Sequence, residues 1–359
     1  MMIRALTSVR ASSTDHPFSV LHSPFSILIF AVRASATPRP LTQTVLTRAV
    51  RAAYGFVNLA TIRYILSLLF RMNELPIGIF DSGVGGLTVY RALHDRLPNE
   101  RFIYLGDTAR VPYGTKSLAT VERYALENSS FLASLGIKLL VVACNTASAL
   151  ALPAIREKVG IEVVGVIGPG GRKAVEIVRE FGTDARIGVI ATEATVASNA
   201  YIDAIRRASV EPKVLQAACP LFVPLAEENW IDQPETASIA EKYLAEVKAF
   251  TPQALVLGCT HYPILRTVIQ RTVGLDVKLI DSGEATADEV AIILAKNGLE
   301  NAAAPGKARE LCDDLDHFYV TDAAERFGRV AERFLGARPQ RLEAIEVYGV
   351  DELEQRPAR

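Results

Sequence analysis

From Pro76 to about residue 335 the chain alternates short β-branched or apolar runs with longer stretches of helical period, and that alternation restricts it to a parallel α/β fold. Strands are predicted at 77–80, 102–105, 138–143, 162–166, 186–190, 213–216, 254–257 and 277–280. Eight runs exceed one modest sheet, so the expected architecture is two α/β domains with mainly parallel sheets. Ile167-Gly168-Pro169-Gly170-Gly171-Arg172 is rich in turn formers and reads as a hinge, and Asp281-Ser282-Gly283 reads as a second switch. This gives a discontinuous first domain of residues 74–169 plus 282–338 and a second domain of 170–281. After the second switch come a helix from about 285 to 296, a polar loop, a strand at 318–320 and a helix to about 335. The acidic, proline-containing end, 339–359, reads as a tail.

Residues 1–73 differ in composition from the rest: they carry arginines without a single lysine, many Ser, Thr and Ala, and Asp15 as the one acid before Phe70. They are expected to lie outside the fold. Several readings compete: an organelle transit peptide, a secretory signal built on 25–32 and Ala34-Ser35-Ala36, or, with Met72 as the start, translated upstream sequence or a disordered arm. Arg48, Arg51 and Arg63 interrupt the apolar stretch 41–70, which leaves no uncharged run near the roughly 20 residues of a membrane span.

The chain's 359 residues, 50% hydrophobic and 22% charged, suffice for two cores. A net charge of −1 with interleaved signs gives no basic face for phosphate backbones, so nucleic acid is not an expected partner. Cys144, Cys219, Cys259 and Cys312 form no C-x-x-C pair, which argues against a disulfide framework and a structural metal site.

A weak internal repeat organises the remainder. Val141-Val142-Ala143-Cys144-Asn145-Thr146 resembles Val256-Leu257-Gly258-Cys259-Thr260-His261, each a strand, a small residue, a cysteine and a polar pair. The spacing of about 115 residues is the size of one domain. Two pseudo-symmetric halves follow, and because ligands of open α/β sheets bind beyond the carboxyl ends of strands, both cysteines are expected in one interdomain cleft.

Two facing acid/base groups are what removal of a proton from one face of a carbon and its return to the other require. A thiol is a workable base, since its ordinary pKa near 8.5 falls near a helix N-terminus or a cation. Either cysteine alone reads more readily as a buried core thiol. The paired polar neighbours favour a site, with Thr146 and Pro263 in the first turns of the following helices.

Asp81 ends the first strand and opens Ser82-Gly83-Val84-Gly85-Gly86. The spacing matches neither the dinucleotide nor the P-loop pattern, although the turn also suits an actin-like ATPase. Asp81 could hold an ammonium, support a thiol or simply cap the next helix. His261, two residues beyond Cys259, could polarise that thiol, and either Glu227 or Glu228 could reach the cleft. The loop 106–117, with Tyr113 and Gly114, reads as a binding loop at a strand end.

Taken in order, Ile79-Phe80-Asp81-Ser82-Gly83-Val84-Gly85-Gly86, Pro112-Tyr113-Gly114-Thr115-Lys116-Ser117, Ala143-Cys144-Asn145-Thr146-Ala147-Ser148, Cys219-Pro220-Leu221-Phe222-Val223-Pro224 and Leu257-Gly258-Cys259-Thr260-His261-Tyr262-Pro263 resemble the glutamate racemases of the aspartate/glutamate racemase superfamily. The resemblance spans roughly residues 76–335. It implies interconversion of L- and D-glutamate without pyridoxal or any other cofactor, in the cytoplasm, for peptidoglycan. It further implies catalytic roles for Cys144 on the D isomer and Cys259 on the L isomer, with Asp81, Glu227 and His261 as auxiliaries. The family's Pro-x-x-Glu register selects Glu227 over Glu228. Substrate contacts are implied at Asp81, Ser82, Tyr113, Gly114, Asn145, Thr146, Thr192, Thr260 and His261, in a homodimer without membrane contact. Inhibition of gyrase, a property of some members, would be a separate binding role. The long leader departs from the family's pattern.

Overall fold

The computed structural model describes residues 72–208, 212–301 and 309–347, so residues 1–71, which include nearly all of the leader, lie outside the described residues. Two parallel sheets form the frame. The first takes β1 (Ile77–Asp81), β2 (Phe102–Gly106), β3 (Leu139–Val142), β4 (Glu162–Gly165), β9 (His317–Val320) and β10 (Leu342–Ala344) in the order β10-β9-β2-β1-β3-β4. The second takes β5 (Arg186–Ala191), β6 (Lys213–Ala218), β7 (Ala254–Gly258) and β8 (Lys278–Asp281) in the order β6-β5-β7-β8. All pairings are parallel.

The repeat seen in the sequence is thereby a repeat of topology. The four strands β2-β1-β3-β4 of the first sheet have the same relative order as β6-β5-β7-β8, with β9 and β10 added beyond β2. Strands β1, β3 and β7 are buried along their whole length, as expected of parallel strands covered by helices on both faces. One hydrophobic cluster runs from Ile77, Tyr90 and Phe318 beside the first sheet to Leu257, Phe222 and Tyr262 beside the second, so the two sheets are joined by packed apolar side chains.

Three expectations are adjusted. Residues 167–172 are not an open turn: they begin the helix α5 (Ile167–Val178). Gly171 packs closely there, since a Cβ on it would stand 3.0 Å from that of Ala204. Helix α11 (Ser282–Asn297) starts earlier than its periodicity suggests, because the Asp281 carboxylate caps it by accepting from the Gly283 amide at 2.7 Å. The tail expected from residue 339 is corrected for Leu342–Ala344, which pair with β9 as the edge strand of the first sheet. Three residues are too short a run for periodicity to reveal, and pairing with β9 supplies what propensity does not.

Helices α1 (Leu87–Arg96), α2 (Leu118–Ser134), α3 (Asn145–Leu150) and α4 (Leu152–Lys158) cover the first sheet, with α12 (Ala324–Leu335). Helices α6 (Glu193–Ala197), α7 (Ala200–Arg206), α8 (Phe222–Glu227), α9 (Pro234–Phe250) and α10 (Arg266–Val273) accompany the second. Among the described residues no helix is long and apolar enough to cross a membrane.

Phe318 of β9 is fully buried, with its ring 5.1 Å from Tyr90 in a T-shaped contact and 5.9 Å from Tyr104. Phe318→Ala removes the ring and leaves a cavity, and should lower the free energy of unfolding by about 3–5 kcal/mol in urea denaturation.

Candidate active site

In each sheet the middle strands define a switch point: β1 lies between β2 and β3, and β5 lies between β6 and β7. The crevice at the carboxyl end of such a pair is where α/β sheets bind ligands. Asp81 ends β1, Cys144 follows β3, Thr192 follows β5 and Cys259 follows β7. These two crevices meet in a small cleft lined by Ser82, Tyr113, Gly114, Cys144, Asn145 and Thr146 from the first sheet's end, and by Thr192, Glu227, Cys259, Thr260 and His261 from the second's. Eleven of the twelve site residues named from the sequence thus line one cleft, and Asp81 lies buried just behind them. A wider cavity elsewhere, between α1, α10 and α11, contains neither thiol.

The first sheet's side is built on backbone donors. Asp81 is fully buried, and its Oδ2 accepts from the Gly83 amide at 2.9 Å. Burial pushes its pKa up, against the opposing charge of His261 and the amides of the glycine turn. Its other oxygen, Oδ1, is buried with no hydrogen-bond partner in the protein. Gly86 permits this arrangement, since a Cβ there would stand 2.5 Å from that of Asp81 and 2.9 Å from the Tyr104 hydroxyl. Cys144 caps α3, its Sγ accepting from the Ala147 amide at 3.4 Å and donating to Ser82 Oγ at 3.5 Å. Burial, then the nearby Asp81 charge, push the Cys144 pKa up to about 12, so the resting group is a thiol. Asn145 Oδ1 accepts from the Tyr201 hydroxyl at 2.7 Å, while its buried Nδ2 has no partner.

The second sheet's side is a relay. Cys259 Sγ lies 3.8 Å from His261 Nδ1, and His261 Nε2 lies 3.1 Å from Glu227 Oε1. Burial disfavours the imidazolium, but the hydrogen bonds and charges of Cys259 and Glu227 outweigh it and push the His261 pKa up to about 10. Burial likewise disfavours the Glu227 carboxylate, yet His261 and Arg326 hold its pKa below the usual carboxylate range. Glu227, not Glu228, is the acid that reaches the histidine. Glu228 instead turns to solvent and pairs with Arg326. Helix α12 backs this relay: Arg326 donates to Glu227 Oε2 at 3.3 Å, Arg333 to the Glu227 carbonyl at 3.2 Å, and the Phe334 ring stands edge-on to His261.

The two sides touch closely. Thr146 and Thr192 hydroxyls are 3.0 Å apart and share Thr195, and Thr88 donates to the Thr260 carbonyl at 2.9 Å. A Cβ on Gly85 would come 2.3 Å from Thr260 Oγ1 and 2.5 Å from the His261 ring, and one on Gly114 would come 2.9 Å from Thr192. Sequence reasoning missed Thr195, Tyr201 and Arg326. The helical positions of Tyr201 and Arg326 carry no local motif, and Thr195 is legible only through the Thr192 hydroxyl three residues earlier.

The His261 pair makes stability depend on pH. Its pKa is raised from about 6.5, so its contribution is complete below pH of about 6.5 and lost as pH rises toward about 10. Glu227 acts at the opposite end, contributing above its ordinary range and losing that as pH falls. Thermal melts should therefore show the wild type leading His261→Gln by most near pH 6, with the gap narrowing by pH 10. A gap that widens with pH would contradict the ion pair.

Residues 77–290 match the Asp/Glu/hydantoin racemase family. The chain is 51% identical over 262 residues to a glutamate racemase of Geobacter metallireducens, covering 73% of this chain and 93% of that one. Among solved structures, the glutamate racemase of Francisella tularensis in complex with D-glutamate matches with a TM-score of 0.69 and 38% identity, over 77% of this chain and 98% of that one. A glutamate racemase isoform from Bacillus anthracis matches with the same TM-score and 36% identity, over 77% and 98%. With twin switch points, a cysteine after the strand beside each, and these relatives over nearly their whole length, the chain belongs to the Asp/Glu/hydantoin racemase family, among its glutamate racemases.

Proposed function

We propose that the chain interconverts L- and D-glutamate with Cys259 and Cys144 as the two acid/base groups on opposite faces of the α-carbon. The observation that carries this reading is that two buried thiols, each after the strand next to a switch point, line one cleft. The relatives act on glutamate by name, and one was solved with D-glutamate bound, which supports the same substrate here.

The sides differ in their polar partners. Cys259 faces His261 Nδ1 at 3.8 Å, and His261 is itself tied to Glu227, so the sulphur has a polar neighbour on the side where it would accept a proton. Cys144, held as a thiol, can give one. In the L-to-D direction the Cys259 sulphur takes the α-proton, and the electron pair left on Cα takes the Cys144 proton from the opposite face. The enzyme is then left with a protonated Cys259 and an ionised Cys144, and proton exchange or a reverse turnover restores it. In the D-to-L direction the roles exchange. Asp81 Oδ1, buried and unpartnered, suits the substrate ammonium, and Asn145 Nδ2 with the hydroxyls of Thr146, Thr192 and Thr260 suits its carboxylates. Donors that strengthen as charge develops next to Cα would stabilise the carbanionic transition state.

A cleft this closed admits substrate by separation of the two sides. The bodies that separate are taken to be residues 74–169 plus 282–338, with β10, and residues 170–281. The reading extends to a homodimer acting in the cytoplasm, with D-glutamate going to peptidoglycan.

Cys144→Ser and Cys259→Ser should each lower racemisation by at least about 10²-fold. In D2O, Cys259→Ser should lose α-proton exchange from L-glutamate more than from D-glutamate, and Cys144→Ser the reverse. Loss of racemisation with exchange intact for both isomers would sink the two-thiol assignment. A chiral assay offering glutamate and aspartate separately should show turnover of glutamate.

A further inference from the structure

Behind the cleft, and outside the proton path, lies a buried polar cluster centred on Asp107. Its carboxylate is fully buried at the end of β2, at the base of the loop that carries Val111, Pro112, Tyr113 and Gly114 to the cleft wall. Four side chains from three elements donate to it. Arg110 contributes Nε at 2.8 Å and Asn128 contributes Nδ2 at 3.0 Å. Thr321, beyond β9, contributes its hydroxyl at 2.9 Å, and the Tyr113 hydroxyl contributes the fourth bond. Arg110 also donates to Glu127 and to Asn128 Oδ1, and its guanidinium stands 4.2 Å over the Tyr124 ring.

The consequence concerns Tyr113. Its ring is buried and its hydroxyl is committed to Asp107 and Asn128, pointing away from a ligand. We propose that Asp107 is the positioning residue of the substrate loop: by drawing in the Tyr113 hydroxyl and Arg110 it sets the backbone at Tyr113 and Gly114 that faces substrate, and the Tyr113 side chain makes no substrate contact of its own. The tolerance is narrow, because Gly114 approaches Thr192 so closely that a methyl group would not fit. Ordered in advance, such a loop binds without the loss of backbone freedom that a mobile one incurs. A fixed lip contributes equally to binding of substrate and transition state, so its loss should appear in KM and leave kcat nearly untouched.

This inference rests on the reading that the 111–114 loop borders bound glutamate. Its test is steady-state kinetics in both directions for Asp107→Asn, Tyr113→Phe and the double variant, with thermal melts alongside. Each single change should raise KM by about tenfold for both enantiomers, as expected for a lost charge-assisted hydrogen bond, with kcat held within about threefold. The double variant should be no worse than the stronger single, because the two residues act as one unit. If Asp107→Asn does not fold, Tyr113→Phe alone decides. A lowered melting temperature with KM unmoved, or effects that multiply, would overturn the proposal. A wild-type protein that fails to racemise glutamate removes the parent reading and this one with it, whereas active variants with unchanged KM remove only this one.

Discussion

The structure depends on how closely the carboxyl ends of two parallel sheets approach each other. Gly85 lies against Thr260 and His261, and Gly114 lies against Thr192, at separations that leave no room for a single added carbon. Everything chemical follows from that seam. It brings Cys144 and Cys259 into one cleft, buries Asp81 and His261, and lets the imidazolium on one side favour the ionised form of Asp81 on the other. Seam glycines are therefore not spare flexibility. They are the positions at which two otherwise independent sheets become one site.

The seam is asymmetric although the topology is not. Both halves repeat the same strand order, and both place a cysteine after the strand adjoining the switch. On the first side burial and then the nearby Asp81 charge keep the thiol protonated, against the Ser82 hydroxyl and the Ala147 amide, whose hydrogen bonds favour its ionised form. On the second a histidine held by Glu227 gives the sulphur a cationic neighbour. A reaction that takes a proton from one face and supplies one to the other needs an acid/base group on each side. Helix α12, packed beside the first sheet, reaches across to hold Glu227, so that even the second side's relay borrows from the first.

Much of this was legible in the sequence for identifiable reasons. Parallel strands buried on both faces read as continuous apolar runs, and the polar pairs after Cys144 and Cys259 are poor core material, so both strands and thiols stood out. What escaped notice depends on contacts remote in sequence. Thr321 reaches Asp107 from 214 residues away, Tyr201 reaches Asn145 across 56 residues, and Arg326 reaches Glu227 across 99. The glycines of α5 read as a turn for the opposite reason: a local helix penalty of about 1 kcal/mol each does not prevent a helix whose Gly171 packs closely on Ala204, a contact that no local rule contains.

The central claim is that two different groups handle the proton on the two faces. The most direct measurement follows the wild-type enzyme in D2O from a single pure enantiomer of glutamate, with α-deuterium in recovered substrate and in product determined by mass spectrometry at early conversion. Two facing thiols predict product carrying deuterium at Cα while unreacted substrate keeps its protium. Product that retains the substrate's own proton would mean that one group serves both faces, and would contradict the account.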